Sequence, residues 1–179
     1  VVDSICDLMD DQSVFISESH YLLDLLETNQ YDTIYHEHLR YYHLDSLRNL
    51  FSRHGLEIFR CETIPTHGGS IRVFACKKGT FQIDESVSKT LDIEEKKGLL
   101  NGTLLSNFRD KVINSKVSLY SMLQNIKLSG QKIYGIGAPS RASTLINYLG
   151  LDDGIIECVM EVSSSHKLNK YMPGTRIPV

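Results

Sequence analysis

A strand, a glycine-rich turn and a helix follow one another between residues 132 and 149, and this succession constrains the fold more than any other feature of the chain. The apolar run at its start reads as a strand that ends in the turn Gly135-Ile136-Gly137-Ala138. Pro139 suits the first turn of the helix, and Gly150 suits its end. A second β-rich stretch follows at 155–162. The order strand, helix, strand predicts a parallel βαβ unit.

Regular spacing of apolar residues predicts further elements. Between 103 and 127 these residues fall three, four or seven apart, which predicts one long helix with a single apolar face. The stretches 56–61 and 70–76 are strand-like, and their short connection predicts neighbouring antiparallel strands. Weaker patterns predict one more strand and two helices, namely 14–16, 21–26 and a helix capped by Asp45 or Ser46 and closed by Gly55. The chain is therefore predicted to be α/β throughout.

Composition and charge exclude several classes of protein. The 179 residues include 19 basic and 22 acidic side chains, a net charge of −3, unlike the strongly basic surface of a nucleic-acid binder. No apolar run approaches the roughly 20 residues that cross a bilayer. The first residues lack a signal-peptide pattern, and the four cysteines are too few and too widely spaced for a disulfide scaffold. We therefore expect a cytoplasmic protein without nucleic-acid or membrane partners.

The cysteines are also candidate metal ligands. Cys61, His67 and Cys76 could be imagined as a set, but their spacing matches no common zinc pattern. Because both cysteines sit in strand-like apolar stretches, buried thiols are the favoured interpretation. No metal site is expected in this chain.

The first candidate for chemistry is the cluster Tyr35-His36-Glu37-His38. A histidine can act as a general base near neutral pH, a carboxylate can orient it, and a phenol can donate to an oxyanion. Two alternatives remain open from the residues alone. The segment could be a polar surface loop, or His36 and His38 could bind a metal, although an H-x-H pair is a weak signal.

The second candidate is the turn Gly135-x-Gly137, which follows a strand and precedes a helix. In dinucleotide-binding folds such glycines let the backbone approach a pyrophosphate at the helix N-terminus. Ser140 stands where the third glycine of that fingerprint would fall, and Glu161 lies about where a ribose-binding acid would be. The alternative is a tight turn that serves packing and binds no dinucleotide.

The third candidate is Gly68-Gly69-Ser70 with Arg72. A glycine pair at the start of a strand permits close approach of the backbone, and Arg72 could meet a phosphate or a carboxylate. The commoner alternative is a tight turn beside a surface arginine in an ion pair.

Together these segments resemble the S-adenosylmethionine-dependent sugar C-methyltransferases, which act on nucleotide-linked deoxysugars. The resemblance spans nearly the whole chain, in order. It rests on these segments: Tyr31-Asp32-Thr33-Ile34-Tyr35-His36-Glu37-His38-Leu39, Tyr41-Tyr42, Arg53-His54-Gly55-Leu56, His67-Gly68-Gly69-Ser70-Ile71-Arg72, Gly135-Ile136-Gly137-Ala138-Pro139, Asn147-Tyr148, Lys167 and Tyr171-Met172-Pro173-Gly174-Thr175-Arg176-Ile177-Pro178. Two departures are Glu161, where the family usually has Asp, and Ser19-His20, where Pro usually follows Glu18.

The resemblance implies a reaction and roles for residues. A base removes the proton next to the keto group of a nucleotide-linked 4-keto-deoxysugar, and the resulting enolate takes the methyl group of S-adenosylmethionine. By resemblance His38 is the base, and Glu37 and Tyr35 position it or stabilise the oxyanion. Gly137, Arg141 and Arg72 are the expected substrate-binding residues. The rival prediction is a non-catalytic nucleotide-binding or interaction module that uses the 135–141 turn.

The resemblance also implies an organisation of the chain. Residues 1–80 are expected to be the C-terminal part of a class I methyltransferase domain, 81–101 a linker, and 102–179 a truncated Rossmann-like domain. Most of the S-adenosylmethionine site and a zinc-binding N-terminal module are expected to lie outside the chain. These 179 residues alone are therefore expected to be inactive.

Overall fold

A computed structural model describes all of the chain, from Val1 to Val179. It divides into two compact units, each described here by itself. Unit 1 contains Val1–Gln30 and Arg40–Phe108, and unit 2 contains Tyr31–Leu39 and Arg109–Val179.

Unit 1 is built on a three-stranded sheet. Its strands are β1 (Phe15–His20), β2 (Leu56–Ile64) and β3 (Ser70–Lys77), in the order β1-β3-β2. The central strand β3 is antiparallel to both neighbours. Alternation along β3 buries Ile71, Val73 and Ala75 completely, which is the pattern that its sequence predicted. The predicted antiparallel pair and the predicted strand near residue 15 are confirmed.

Unit 1 also contains four whole helices, α1 (Val2–Leu8), α2 (Leu22–Glu27), α3 (Leu44–Ser52) and α4 (Glu85–Lys96). The long helix α5 (Thr103–Leu128) begins in the same unit. Residues 81–101, predicted to be a linker, carry α4, and Val87 and Leu99 belong to the core of unit 1. The assignment of 1–80 and 102–179 to two known domain types stays a prediction.

The start of α3 corrects one prediction. The helix begins at Leu44 with His43 as its N-cap residue, not with Asp45 or Ser46. The Ser46 hydroxyl instead accepts the backbone N–H of His43 at 3.1 Å. The reason is that a carboxylate from another helix satisfies the first free N–H groups of α3. Sequence signals local to the helix do not report such a partner.

That carboxylate belongs to Glu94 of α4, which is completely buried. It accepts the backbone N–H groups of Leu44 at 2.6 Å and Asp45 at 3.2 Å, and the Tyr21 hydroxyl at 3.1 Å. The Nδ1 atom of His43 lies 3.1 Å from its second oxygen. Burial and the Glu94 carboxylate raise the pKa of the Tyr21 hydroxyl, so this group stays a neutral donor. Glu94 therefore joins α4 to the start of α2 and of α3.

Unit 2 contains the predicted βαβ arrangement. Strands β4 (Tyr134–Ile136) and β5 (Cys158–Met160) pair in parallel, and α6 (Ser140–Leu149) connects them. A side chain at Gly135 would lie 2.9 Å from Val159, so only glycine fits this contact between the strands. A core of Ile146, Leu149 and Ile177 with their neighbours fills the unit. The parallel sheet and both predicted helices of this half are confirmed.

Three further observations concern the cysteines, the length of the helices and the grouping of metal-binding side chains. Cys61 and Cys76 are buried free thiols, as predicted. None of the helices combines the length and apolar character needed to span a membrane. Residues 1–179 contain no group of three or more His, Cys, Asp or Glu side chains placed to hold a metal ion.

Candidate functional site

The segment 31–39 is held by one face of α6 within unit 2. The Arg141 guanidinium donates from Nε and Nη2 to the two carboxylate oxygens of Asp32, both at 2.8 Å. The Thr144 hydroxyl donates to the carbonyl of Ile34 at 2.9 Å. The rings of Tyr31 and Tyr148 meet edge to face at 5.4 Å between centroids. Arg141, Thr144 and Tyr148 share one helix face because they are three and four residues apart.

The cluster Tyr35-His36-Glu37-His38 forms a tight turn at the end of this segment. The backbone N–H of His38 donates to the carbonyl of Tyr35 at 3.1 Å, and their rings stand perpendicular with centroids 4.9 Å apart. The Tyr35 hydroxyl lies 3.4 Å from one Glu37 oxygen, and His36 Nε2 lies 3.8 Å from the other. Tyr35 and His38 are half-buried, whereas His36 and Glu37 are exposed. The turn thus brings together an imidazole, a phenol and a carboxylate beside solvent.

The glycine-rich turn between β4 and α6 is fixed by its own side-chain and backbone partners. Gly137 has φ +79°, and its N–H donates to Met160 at the end of β5 at 2.8 Å. The Glu161 carboxylate accepts the N–H groups of Val162 and Ala138, and these bonds lower the pKa of Glu161. Both Glu161 oxygens are therefore engaged by the backbone, which supports the packing role of this turn over dinucleotide binding.

A pocket of about 200 Å³ opens beside the first turn of α6. Pro139, Ser140 and Ser143 line one part of it, and Lys167 and Lys170 line another. The Lys167 ammonium also donates to the carbonyl of Ala138. A helix N-terminus with two lysines and two hydroxyls is a suitable environment for an anionic group.

The Gly68-Gly69 pair lies in unit 1 under the side chains of Asp24 and Gln30. The Gln30 amide donates to the carbonyl of Gly68 at 2.6 Å. Arg72 donates from Nε and Nη2 to Glu18, at 3.1 and 2.8 Å, on the neighbouring strand. The glycines thus permit close approach, and Arg72 takes part in a surface ion pair.

Gly69 gives a stability prediction. Gly69 has φ +120°, and a methyl group there would overlap the Asp24 side chain. Gly69→Ala should therefore lower the free energy of unfolding by about 1–3 kcal/mol more than Gly79→Ala does. Gly79 is the matched control because it also has a positive φ, +81°, but has nothing within 4 Å of the added methyl. Urea denaturation of both variants measures the difference, and equal losses would contradict the steric argument.

A family model described as "C-methyltransferase C-terminal domain" matches residues 65–179, more than half of the chain. The chain belongs to the C-methyltransferase family. It is also similar to the C-methyltransferase NovU of Streptomyces niveus, with 32% identity over 180 residues. That alignment covers 100% of this chain and 43% of NovU, so the chain spans less than half the length of its relative.

In this C-methyltransferase family member, the structure brings some predicted site residues together. Tyr35, Glu37 and His38 share one turn, and Arg141 of α6 reaches Asp32 in the same segment. Arg72 belongs to unit 1, and Gly137 lies in the turn before α6. The roles of these residues in binding or catalysis stay predictions.

Sequence reasoning missed the residues that hold the candidate site. The motif that contains Asp32 does not predict its partner Arg141, and no sequence pattern marks Thr144. The signal that could have found the helix face is the spacing of Arg141, Thr144 and Tyr148 on a predicted helix. Lys170 carried no motif, and its place beside the pocket follows from the fold of the last residues of the chain.

Proposed function

We propose that the complete protein transfers a methyl group from S-adenosylmethionine to a carbon of a nucleotide-linked keto-deoxysugar. The observation that carries this proposal is the turn that places His38 against Tyr35, with Glu37 at the Tyr35 hydroxyl. A carbon acid next to a ketone needs a base for its proton and a donor for the developing oxyanion. Membership in the C-methyltransferase family supports the reaction class. The name of NovU supports C-methylation.

The roles of this chain's residues follow from that requirement. His38 removes the proton next to the keto group, and the electron pair of the C–H bond moves toward the ketone oxygen to give an enolate. Glu37 holds the Tyr35 hydroxyl, 3.4 Å away, before substrate binds, and the hydroxyl then turns its single proton to the enolate oxygen. The carbon atom then becomes the nucleophile that is methylated, and the proton stays on the imidazole until solvent removes it.

S-adenosylmethionine supplies the methyl group in this proposal, and most of its site is assigned outside this chain. The turn Gly135-x-Gly137 is a glycine-rich turn after a parallel strand, but its acid, Glu161, already accepts two backbone N–H groups. We therefore assign most of the methyl-donor site to the part of the protein beyond this chain.

The pocket beside α6 is proposed to receive the phosphates of the sugar nucleotide. Gly137 shapes the turn before the helix, and Lys170 is an exposed ammonium at the pocket rim. We keep Arg72 in the proposed substrate-binding set; its guanidinium also pairs with Glu18. Arg141 pairs with Asp32 and is left out of that set.

Lys170 tests the phosphate assignment. Lys170→Ala in the complete protein should raise the KM for the sugar nucleotide by about tenfold with little change in kcat, because a charge-assisted contact present throughout the reaction is lost. Lys132→Ala is the control, since Lys132 is exposed in the same unit but lies outside the pocket lining. An unchanged KM for the Lys170 variant would contradict the assignment.

The reaction itself is tested with the complete protein, S-adenosylmethionine and a nucleotide-linked 4-keto-6-deoxysugar. Mass spectrometry should show a product heavier by one CH₂ group together with demethylated donor. Tight nucleotide binding without any methylated product would favour the rival function, a non-catalytic nucleotide-binding module.

A further inference from the structure

Arg141 was predicted to bind substrate, but its environment indicates a different task. Its guanidinium forms two parallel hydrogen bonds with Asp32, the geometry in which arginine recognises a carboxylate most specifically. These hydrogen bonds raise the pKa of Arg141, so its guanidinium stays protonated. Two donor atoms of the guanidinium, Nε and Nη2, are thereby directed at Asp32 and not at a ligand.

The partner of Arg141 lies close to the candidate catalytic turn along the chain. Asp32 belongs to the short 3₁₀ turn Tyr31–Thr33, three residues before Tyr35 and six before His38. Ile34 is the residue directly after this turn, and its carbonyl accepts a hydrogen bond from the Thr144 hydroxyl. The backbone is therefore fixed directly before Tyr35. The Tyr31 hydroxyl is buried without a hydrogen-bond partner, and thus the ring of Tyr31 supplies only apolar contact. The Arg141–Asp32 pair is therefore a two-point ionic restraint on the segment that carries the turn.

We propose that Arg141 is a positioning residue for methyl transfer that acts through Asp32 to hold His38 and Tyr35 in their reactive arrangement. This inference rests on the proposed function, in which His38 is the base. If Arg141 acts through Asp32, catalysis depends equally on both residues, because neither partner alone can hold the turn. A residue that binds substrate directly would carry no such dependence on Asp32.

Kinetics of the complete protein separate the two roles. Arg141→Met and Asp32→Asn should each lower kcat by roughly 10–100-fold, because small displacements of a base have effects of that order, while the KM for the sugar nucleotide stays within about twofold. The exchanged pair Asp32→Arg with Arg141→Asp should recover a large part of the lost kcat. A strong rise in KM for Arg141→Met alone, with Asp32→Asn unaffected, would overturn the proposal in favour of substrate binding.

A second measurement needs no activity and uses this 179-residue chain. The perpendicular contact of Tyr35 and His38 should give nuclear Overhauser effects between the two rings and a ring-current shift of the His38 protons. Both signals should be lost in Arg141→Met and in Asp32→Asn, while methyl resonances of the unit 1 core stay in place. Arg109→Met is the control, since Arg109 is exposed on α5 in the same unit and forms no ion pair.

The two measurements keep the inference separate from the proposed function. If His38 is not the base, the kinetic effects disappear but the ring signals still depend on Arg141 and Asp32. If the ring signals survive in both variants, the positioning role is wrong whatever the reaction.

Discussion

Replacing His38 by Gln in the complete protein is expected to slow methyl transfer by about 10²–10⁴-fold, which is the usual contribution of a general base. Glutamine keeps the approximate size and polarity of the side chain but cannot take up a proton at neutral pH. The rate of methylated-sugar formation at saturating substrate measures the loss. A second assay in heavy water isolates the proton step, since the wild-type protein should exchange the hydrogen next to the keto group and His38→Gln should not.

Two other histidines make this experiment specific. His54→Gln is the control, because His54 contacts Asp3 on the surface of unit 1 and should leave the rate within about twofold of wild type. His36→Gln tests the neighbouring imidazole, which is 78% exposed and lies beside Glu37. A large loss for His36→Gln with none for His38→Gln would show that the base is assigned to the wrong residue.

Replacing Glu94 by Ala is expected to lower the free energy of unfolding by about 3–5 kcal/mol. The substitution removes the acceptor for two backbone N–H groups at the start of α3 and for the buried Tyr21 hydroxyl. Water does not reach the Leu44 and Tyr21 donors, because Leu44 is completely buried and Tyr21 is 2% exposed. Urea denaturation monitored by circular dichroism measures the change as a lower midpoint at constant slope.

The neighbouring residue on α4 provides a matched control for Glu94. Glu95 is exposed on the same helix, and Glu95→Ala should change the free energy of unfolding by less than about 0.5 kcal/mol. Glu94→Gln should fall between the two, because the amide oxygen still accepts while the amide nitrogen faces other donors. Similar losses for Glu94→Ala and Glu95→Ala would mean that the lost helical charge, and not the buried acceptor, sets stability.

Local patterns in the sequence predict most elements of the fold, because strand alternation and helix spacing are properties of neighbouring residues. The antiparallel pair β2–β3 and the unit β4-α6-β5 follow from such patterns. The cap of α3 does not, since Glu94 lies 50 residues from Leu44 in sequence. Residues 81–101 looked like a linker because they are polar, yet a few apolar side chains such as Val87 suffice to anchor α4.

In the candidate site, too, local patterns predict the neighbouring residues but not the contacts between distant ones. Tyr35, Glu37 and His38 are adjacent in sequence, so a motif is enough to select them. The ion pair of Asp32 with Arg141 is not predictable in the same way, because no pattern within either segment shows that the two residues meet. The sequence thus predicts which groups have suitable chemistry, and the structure is needed to show what holds them.

The long separation between Asp32 and Arg141 has a consequence for synthesis on the ribosome. The two residues are 109 positions apart, and chains grow at about 5–20 residues per second, so segment 31–39 waits on the order of 5–20 s for the helix that holds it. During that interval α6 is not yet available to the histidine turn, whereas β1, β2 and β3 all lie between residues 15 and 77. The candidate catalytic turn is therefore translated well before the helix that holds it.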